Sequence, residues 1–278
     1  MEQMLLEQEK FIRLGFFFGV FALVALWELA APRRRLTVPK AGRWGANLGI
    51  VVFNTVLLRL LFPMAAVGLA LAGEEKGWGL VNILEIPTWL AAFISVAVMD
   101  FAIYLQHVMV HAVPVLWRLH RMHHADLDYD VTTGARFHPI EIVLSMLIKL
   151  AVVMVLGPPA VAVMIFEVLL NATAMFNHGN IRLPEGIDRV LRWFVVTPDM
   201  HRVHHSVHAP LANSNFGFNL PWWDHLFGTY FAQPPEGHEE MELGLDHFRD
   251  PKQVNGFIGM LKLPFARHIG EYAINRRW

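Results

Sequence analysis

The chain has 278 residues, of which 55% are hydrophobic and only 17% charged, and its formal net charge is -1. Soluble domains carry nearer 25% charged residues, so an integral membrane protein is expected, and the near-neutral balance leaves no electrostatic footprint for nucleic acid. The absence of cysteine excludes disulfides, thiolate-bound zinc and iron–sulfur clusters, so any redox metal must be held by nitrogen or oxygen.

The N-terminal decapeptide MEQMLLEQEK is acidic and polar. It lacks the basic start of a cleaved signal peptide, so the first apolar run, from about Leu14 to Ala31, is expected to stay as a membrane helix. A crossing needs roughly 20 apolar residues. Arg33, Arg34, Arg35, Lys40 and Arg43 follow at once, and the positive-inside rule assigns this loop to the cytoplasm. The second run covers Gly45 to Ala72 and contains Arg59 and Pro63. An acidic loop with Glu74, Glu75 and Glu85 leads to the third run, from Thr88 to about Val110. Pro114 breaks that helix, and a new one starts at Val115. Asp126, Asp128 and Asp130 then form an acidic loop that either caps helices or contacts metal, capping being the commoner use. Pro139 suits the first turn of the next helix. Gly157, Pro158 and Pro159 divide Ile140 to Phe176 into the two arms of a hairpin. The amphipathic stretch Gly179 to Thr197 suits the membrane interface. Pro198 and Asp199 open one more helix. The fold expected is all-α, with about four membrane helices or hairpins and a cytoplasmic helical cap. The chain is read as a single domain, with membrane helices over 1–99, a histidine-rich core over about 100–230 and a cytoplasmic tail over 231–278.

Histidines carry the chemistry. HVMVH spans His107 to His111, HRMHH spans His120 to His124, and HRVHH spans His201 to His205. On a helix, residues three and four apart share a face, so each set aims two or three imidazoles at one point. Imidazole suits iron, zinc, copper and nickel. Eight histidines exceed the four ligands of one tetrahedral zinc and suit two metals in one box. The crossing count, fixed by the arginines at 33 to 35, puts all three sets on the cytoplasmic side. Asp100 precedes His107 by seven residues, on nearly the same helix face. It either orients a ligand histidine from behind or pairs with Arg59, the first being preferred. His138 reads equally as a ligand, a donor behind a ligand, or a helix N-cap. Glu167, Asn171 and His178 fall near one helix face, which either points at the metals or leaves Glu167 paired with Lys149. His208 is read as a surface residue or a donor behind the ligands, and His238, His247 and His268 as surface histidines.

Together with FNHGN at Phe176 to Asn180, RFHPIE at Arg136 to Glu141 and WWDHLFGTY at Trp222 to Tyr230, these boxes resemble the fatty acid hydroxylase / sterol desaturase superfamily of membrane-bound di-iron oxygenases. The resemblance covers about 100–230. It implies two irons, with ligand roles for His107, His111, His120, His123, His124, His178, His201, His204 and His205. Some members carry a further histidine where this chain has Ala174; water, His138 or His208 would substitute. The resemblance also implies O₂ activation and hydroxylation or desaturation of a C–H bond in a lipid (a sterol, fatty acyl chain or isoprenoid).

No segment here serves as an internal electron donor, so an external ferredoxin or other reductase is expected as partner. The chain is expected in a bacterial inner membrane. The competing expectation is a membrane protein that binds or transports zinc with the same histidines. The histidines lie on one side, and only Asp100, Arg59, Lys149 and Glu167 lie deep, which disfavours a path across the bilayer. A zinc hydrolase is disfavoured by the lack of HExxH.

Overall fold

The computed structural model describes residues 2–84, 86–268 and 274. Glu85, expected in the acidic loop, lies outside the described residues, as do 269–273 and 275–278. Among the described residues every regular element is helical, and strand-like pairing is limited to three isolated bridges.

A short α1 (Glu2–Glu7) leads into α2 (Glu9–Ala30). The second apolar run divides into α3 (Lys40–Leu61) and α4 (Ala66–Lys76), followed by the single turn α5 (Leu80–Ile83). The break at 62–65 contains Pro63, which cannot supply the N–H that a continuous helix requires. The third run is α6 (Thr88–Ala112), and after it comes α7 (Pro114–His124) with its proline in the first turn. The hairpin is α8 (Pro139–Leu156) and α9 (Ala160–Asn177). Each arm has 18 residues and rises about 27 Å, close to the roughly 30 Å hydrocarbon core of a bilayer. By length and composition, the three runs and the two arms make five segments fit to cross a membrane. Large apolar side chains stay exposed along them, Phe18 at 63% and Leu26 at 64% among them. Such a belt is costly in water and suits lipid contact.

The helix directions place the polar chemistry at one end. Arg13 pairs with Glu167 at 2.9 Å, while Glu28 further along α2 accepts from the backbone of Asn180 just beyond α9. α2 and α9 therefore run parallel and finish together. The end of α6 and the start of α8 meet there too, through α7, where His120 contacts Glu141. At the opposite end Val81, Ala91 and Leu156 cluster, and Gly79 lies against Gly157. A Cβ on Gly79 would come within 2.3 Å of the Gly157 nitrogen, and both residues have positive φ, so only glycine fits this crossing.

The histidine end carries the cap. Its small helices are α10 (Glu185–Leu191), α11 (Pro198–His204), α12 (Ala209–Ala212), α13 (Trp222–Phe227), α14 (Gly237–Glu240), α15 (Pro251–Val254) and α16 (Phe257–Lys262). The acidic loop at 126–130 clamps the cap to the start of α3. Buried Arg43 donates to Asp126 at 2.8 Å and also pairs with Asp130. Asp128 accepts from the backbone N–H groups of Thr37 and Val38. These carboxylates neither cap a helix nor join the histidine groups; they hold the loop to Arg43 and to the backbone before α3. Arg33, Arg34 and Arg35 lie at this same end, and Arg33 pairs with Asp199 at 3.1 Å.

The acidic stretch 237–250, expected as a soluble tail, is instead packed onto the cap together with the apolar segment that follows it. Met241, Leu243, Leu245, Val254, Met260 and Leu263 are buried. Buried Arg121 on α7 donates to the carbonyls of Leu263 and Ala266. The acidic residues between them made this segment read as solvated, but the apolar residues interleaved with them face inward.

Candidate metal centre

Nine histidines converge in two groups. His107 and His111 from α6, His120 and His124 from α7, and His204 from α11 form the first; His123 from α7, His178 just after α9, and His201 and His205 from α11 form the second. Within each group the ring nitrogens offered lie within 4.8 Å of one another. All nine side chains are buried. These are the nine positions named from the sequence.

The two HxxHH boxes divide in a way that spacing alone did not show. In α7 the pair four apart, His120 and His124, joins one group, while His123 turns to the other. In the second box His201 and His205 pair up, and His204 crosses to the group of His107. The two boxes are thus interleaved, and each feeds both groups. The imidazole centroids of His107 and His204 are 4.5 Å apart, as are those of His178 and His201.

Short elements aim these rings. Thr197 caps α11 by accepting from Met200 N, and Pro198 occupies the first turn, where its missing N–H costs nothing. The segment 213–217 then folds back over the site. His107 Nδ1 donates to the Phe216 carbonyl at 2.8 Å, His204 Nδ1 to the Ser214 carbonyl at 2.7 Å, and His111 Nδ1 to Asn213 Oδ1 at 3.1 Å. His178 Nδ1 donates to the Ala174 carbonyl at 2.8 Å, and His120 Nδ1 to Glu141 Oε1 at 2.6 Å. In each case the acceptor fixes the proton on Nδ1 and leaves the Nε2 lone pair facing inward.

The donor set fits metal. Nε2 of His107, His120, His204 and His205, Nδ1 of His123 and both nitrogens of His201 are buried without a hydrogen-bond partner. In the His111–His124 pair, and again in the His123–His178 pair, two Nε2 atoms face each other at 3.1 Å. Buried polar atoms seldom go unpaired, and nitrogen lone pairs collected at one point are what a cation needs. Burial, reinforced by the neighbouring imidazoles, pushes His123, His124, His201, His204 and His205 well below the ordinary histidine pKa. Burial also takes His178 down to about 3. These rings are neutral near pH 7, the form that ligates. Neither group contains a carboxylate.

The remaining sequence candidates lie elsewhere. His138 is the N-cap of α8 and accepts from Ile140 N at 3.2 Å, so of its three readings the structure realises the cap. His208 is half exposed, beside Glu236 at 3.4 Å. Asp100 pairs neither with a histidine nor with Arg59. Its buried carboxylate accepts from Trp223 Nε1 at 2.8 Å and from the backbone of Asn219 and Leu220 at 3.3 Å. It therefore steadies the segment beyond Phe216, one step removed from the histidine it was expected to orient. Glu167 lies between Lys149 at 2.7 Å and Arg13 at 2.9 Å, which is the ion-pair reading. His238, taken as a surface residue, is buried, with Nε2 2.6 Å from Gln233 and 3.5 Å from Asp199.

Two supporting residues were missed. Glu141 holds His120. Asp224 accepts from Phe216 N at 2.8 Å, Gly217 N at 2.7 Å and Thr229 Oγ1 at 2.7 Å, so it sets the loop whose carbonyls hold His107 and His204. A Cβ on Gly217 would lie 2.6 Å from Asp224 Oδ2. The signals were the acid in RFHPIE and the acid in WWDHLFGTY, but their partners lie on other segments.

The fatty acid hydroxylase family model matches residues 92–229. Among curated proteins, an ornithine lipid hydroxylase of Rhizobium tropici is 29% identical over 264 residues, covering 90% of this chain and 75% of its own length. The alkylglycerol monooxygenase of Xenopus tropicalis is 27% identical over 72% of this chain, and the human one 28% identical over 61%. The chain spans 44% of the frog protein's length and 37% of the human protein's. No solved structure matches it. Box order, ring geometry and the matched segment agree, and the chain belongs to the fatty acid hydroxylase family.

Proposed function

We propose that this protein is a membrane-bound di-iron oxygenase. On this reading it uses O₂ and electrons from an external ferredoxin or other reductase to hydroxylate or desaturate a C–H bond in a hydrocarbon chain of a lipid. The observation that carries the reading is the pair of buried all-histidine groups, whose unpartnered nitrogens face inward. One iron in each group would supply the redox chemistry that O₂ activation requires. The relatives' names, an ornithine lipid hydroxylase and alkylglycerol monooxygenases, support a polar lipid as substrate.

The chain's own residues prepare the reaction. Hydrogen bonds from Nδ1 to Phe216, Ser214, Asn213, Ala174 and Glu141 lock the rings before metal arrives, so little reorganisation is left to the metal-bound state. The loop at 213–217 and the packed segment 241–263 keep water from the histidines. The membrane helices bring the apolar substrate to the same end. The arginines at 33–35 share that end, which supports a cytoplasmic site by the positive-inside rule.

The reading is tested by expressing the protein in a bacterial host supplied with isotopically labelled dioxygen and profiling total lipids. A lipid species that gains one labelled oxygen, or loses two hydrogens, only with the intact chain is expected, and His204→Ala abolishes it. An unchanged lipid profile from iron-loaded protein with a competent reductase present would contradict it.

A further inference from the structure

Beside the histidine cluster, α6, α7 and α8 part to leave a cleft of about 110 Å³. Its walls include Met109, Leu116, Leu144 and Ile148. Met109 and Leu144 are 41% and 36% exposed, so the cleft opens sideways on the lipid-facing surface. Its polar lining is Gln106, Ser145 and Glu141. Glu141 is buried; one oxygen holds His120 at 2.6 Å, and the other, like Gln106 Oε1, has no hydrogen-bond partner. The cleft is thus separated from the first histidine group by a single carboxylate. Below it a second, much smaller void of about 10 Å³ lies between α6, α8 and α9, beside Ala102, Lys149 and Val152. Ile148 lines both voids. The residues of α8 that line the two voids, from Glu141 to Val152, span about 16 Å. Lys149, which also lines the second void, is paired with Glu167.

We infer that this groove is the slot for one hydrocarbon chain of a bilayer lipid, entered sideways from the membrane, and that Ile148 sets how deep the chain reaches. The inference rests on the lipid-oxygenase reading above and adds where the chain lies. Its mainly apolar walls favour hydrocarbon over water, and the occupant reaches the groove without leaving the bilayer. Ile148 stands between the two voids, so its bulk decides whether a chain stops beside Ser145 or passes on toward Ala102. That depth in turn decides which carbon lies next to the histidines.

The test uses full-length protein purified in detergent and a series of diazirine-tipped fatty alcohols of increasing length. After irradiation the labelled peptides are identified by mass spectrometry, with metal content and melting temperature measured alongside. Labelling is expected on Met109 and on the Leu144 to Ile148 stretch. Ser145→Trp should cut it at least tenfold with metal content unchanged, whereas Leu147→Trp on the exposed face should leave it intact. Ile148→Ala should move the longer probes' labels down to Ala102 and Val152, which keeps the slot testable if Ser145→Trp folds poorly. Labels spread evenly over the exposed helix faces, or wild-type labelling in Ser145→Trp, would overturn the slot. Slot labelling without lipid oxidation keeps the slot and removes the proposed reaction. Labelled oxygen in a lipid together with wild-type turnover in Ser145→Trp removes the slot and keeps the reaction.

Discussion

Replacing Asp224 separates a role in holding the metal centre from mere membership of a sequence motif. Its side chain is fully buried and takes hydrogen bonds from two backbone N–H groups and from Thr229. Thr229 keeps a second partner, Tyr104 Oη at 3.0 Å, so the cost falls on Phe216 N and Gly217 N. A buried donor left unpaired costs about 1–3 kcal/mol. Asp224→Asn strands one such group and Asp224→Ala both, giving about 1–3 and about 2–6 kcal/mol respectively. Loosening 216–217 also frees the carbonyl that fixes His107, and losing such an outer partner typically costs about 10–100-fold in metal affinity. We expect Asp224→Asn near the lower figure and Asp224→Ala near the upper. Cobalt(II) titration against a chelator in detergent reads the affinity, and thermal melting of metal-free protein reads the stability. If Asp224→Ala binds cobalt as tightly as wild type, the loop does not position the histidines and this account of the motif fails.

Three further outcomes follow from the packing. Arg43→Met leaves Asp126 and Asp130 buried without their main cation. Removing one partner of a buried pair costs about 3–5 kcal/mol, and the retained Arg136 contact at 3.3 Å puts the loss near the lower end, read as a drop in melting temperature. His238→Ala should lower the melting temperature with metal content unchanged, because His238 packs against Gln233 and Asp199 and belongs to neither histidine group; unchanged melting would show its burial to be immaterial. The cysteine-free chain permits single-cysteine labelling in intact cells. Lys76→Cys should react with an impermeant maleimide and Glu240→Cys should not, and the reverse pattern would invert the topology.

The sequence showed the apolar crossings and the eight box histidines because both depend on local spacing, whereas His178 took its ligand role only from the family resemblance. Apolar runs define spans, and offsets of three and four define helix faces. The assignment of histidines to groups depends instead on how 213–217 returns over α11, which no local period encodes. His204 and His205 are adjacent in the chain, yet they serve different groups. Asp100 was legible as a buried acid, but its partners, Trp223 and the backbone at 219–220, are far along the chain. His238 and the 241–250 segment were misread for one reason: an acidic composition hid apolar residues that become a face only when the cap folds. Glu141 and Asp224 stood inside quoted motifs without a role, since a supporting carboxylate is identified by what it touches.

Metal content per chain is the most direct test of the central claim. Protein purified anaerobically in detergent is assayed for metals, with X-ray absorption to identify the ligands. One metal per histidine group predicts two irons per chain with nitrogen-rich ligation. Removing His204 from one group or His123 from the other lowers that content, and His138→Asn leaves it unchanged. A single zinc per chain, or a full complement of metal retained by both His123→Ala and His204→Ala, would contradict the two-group centre.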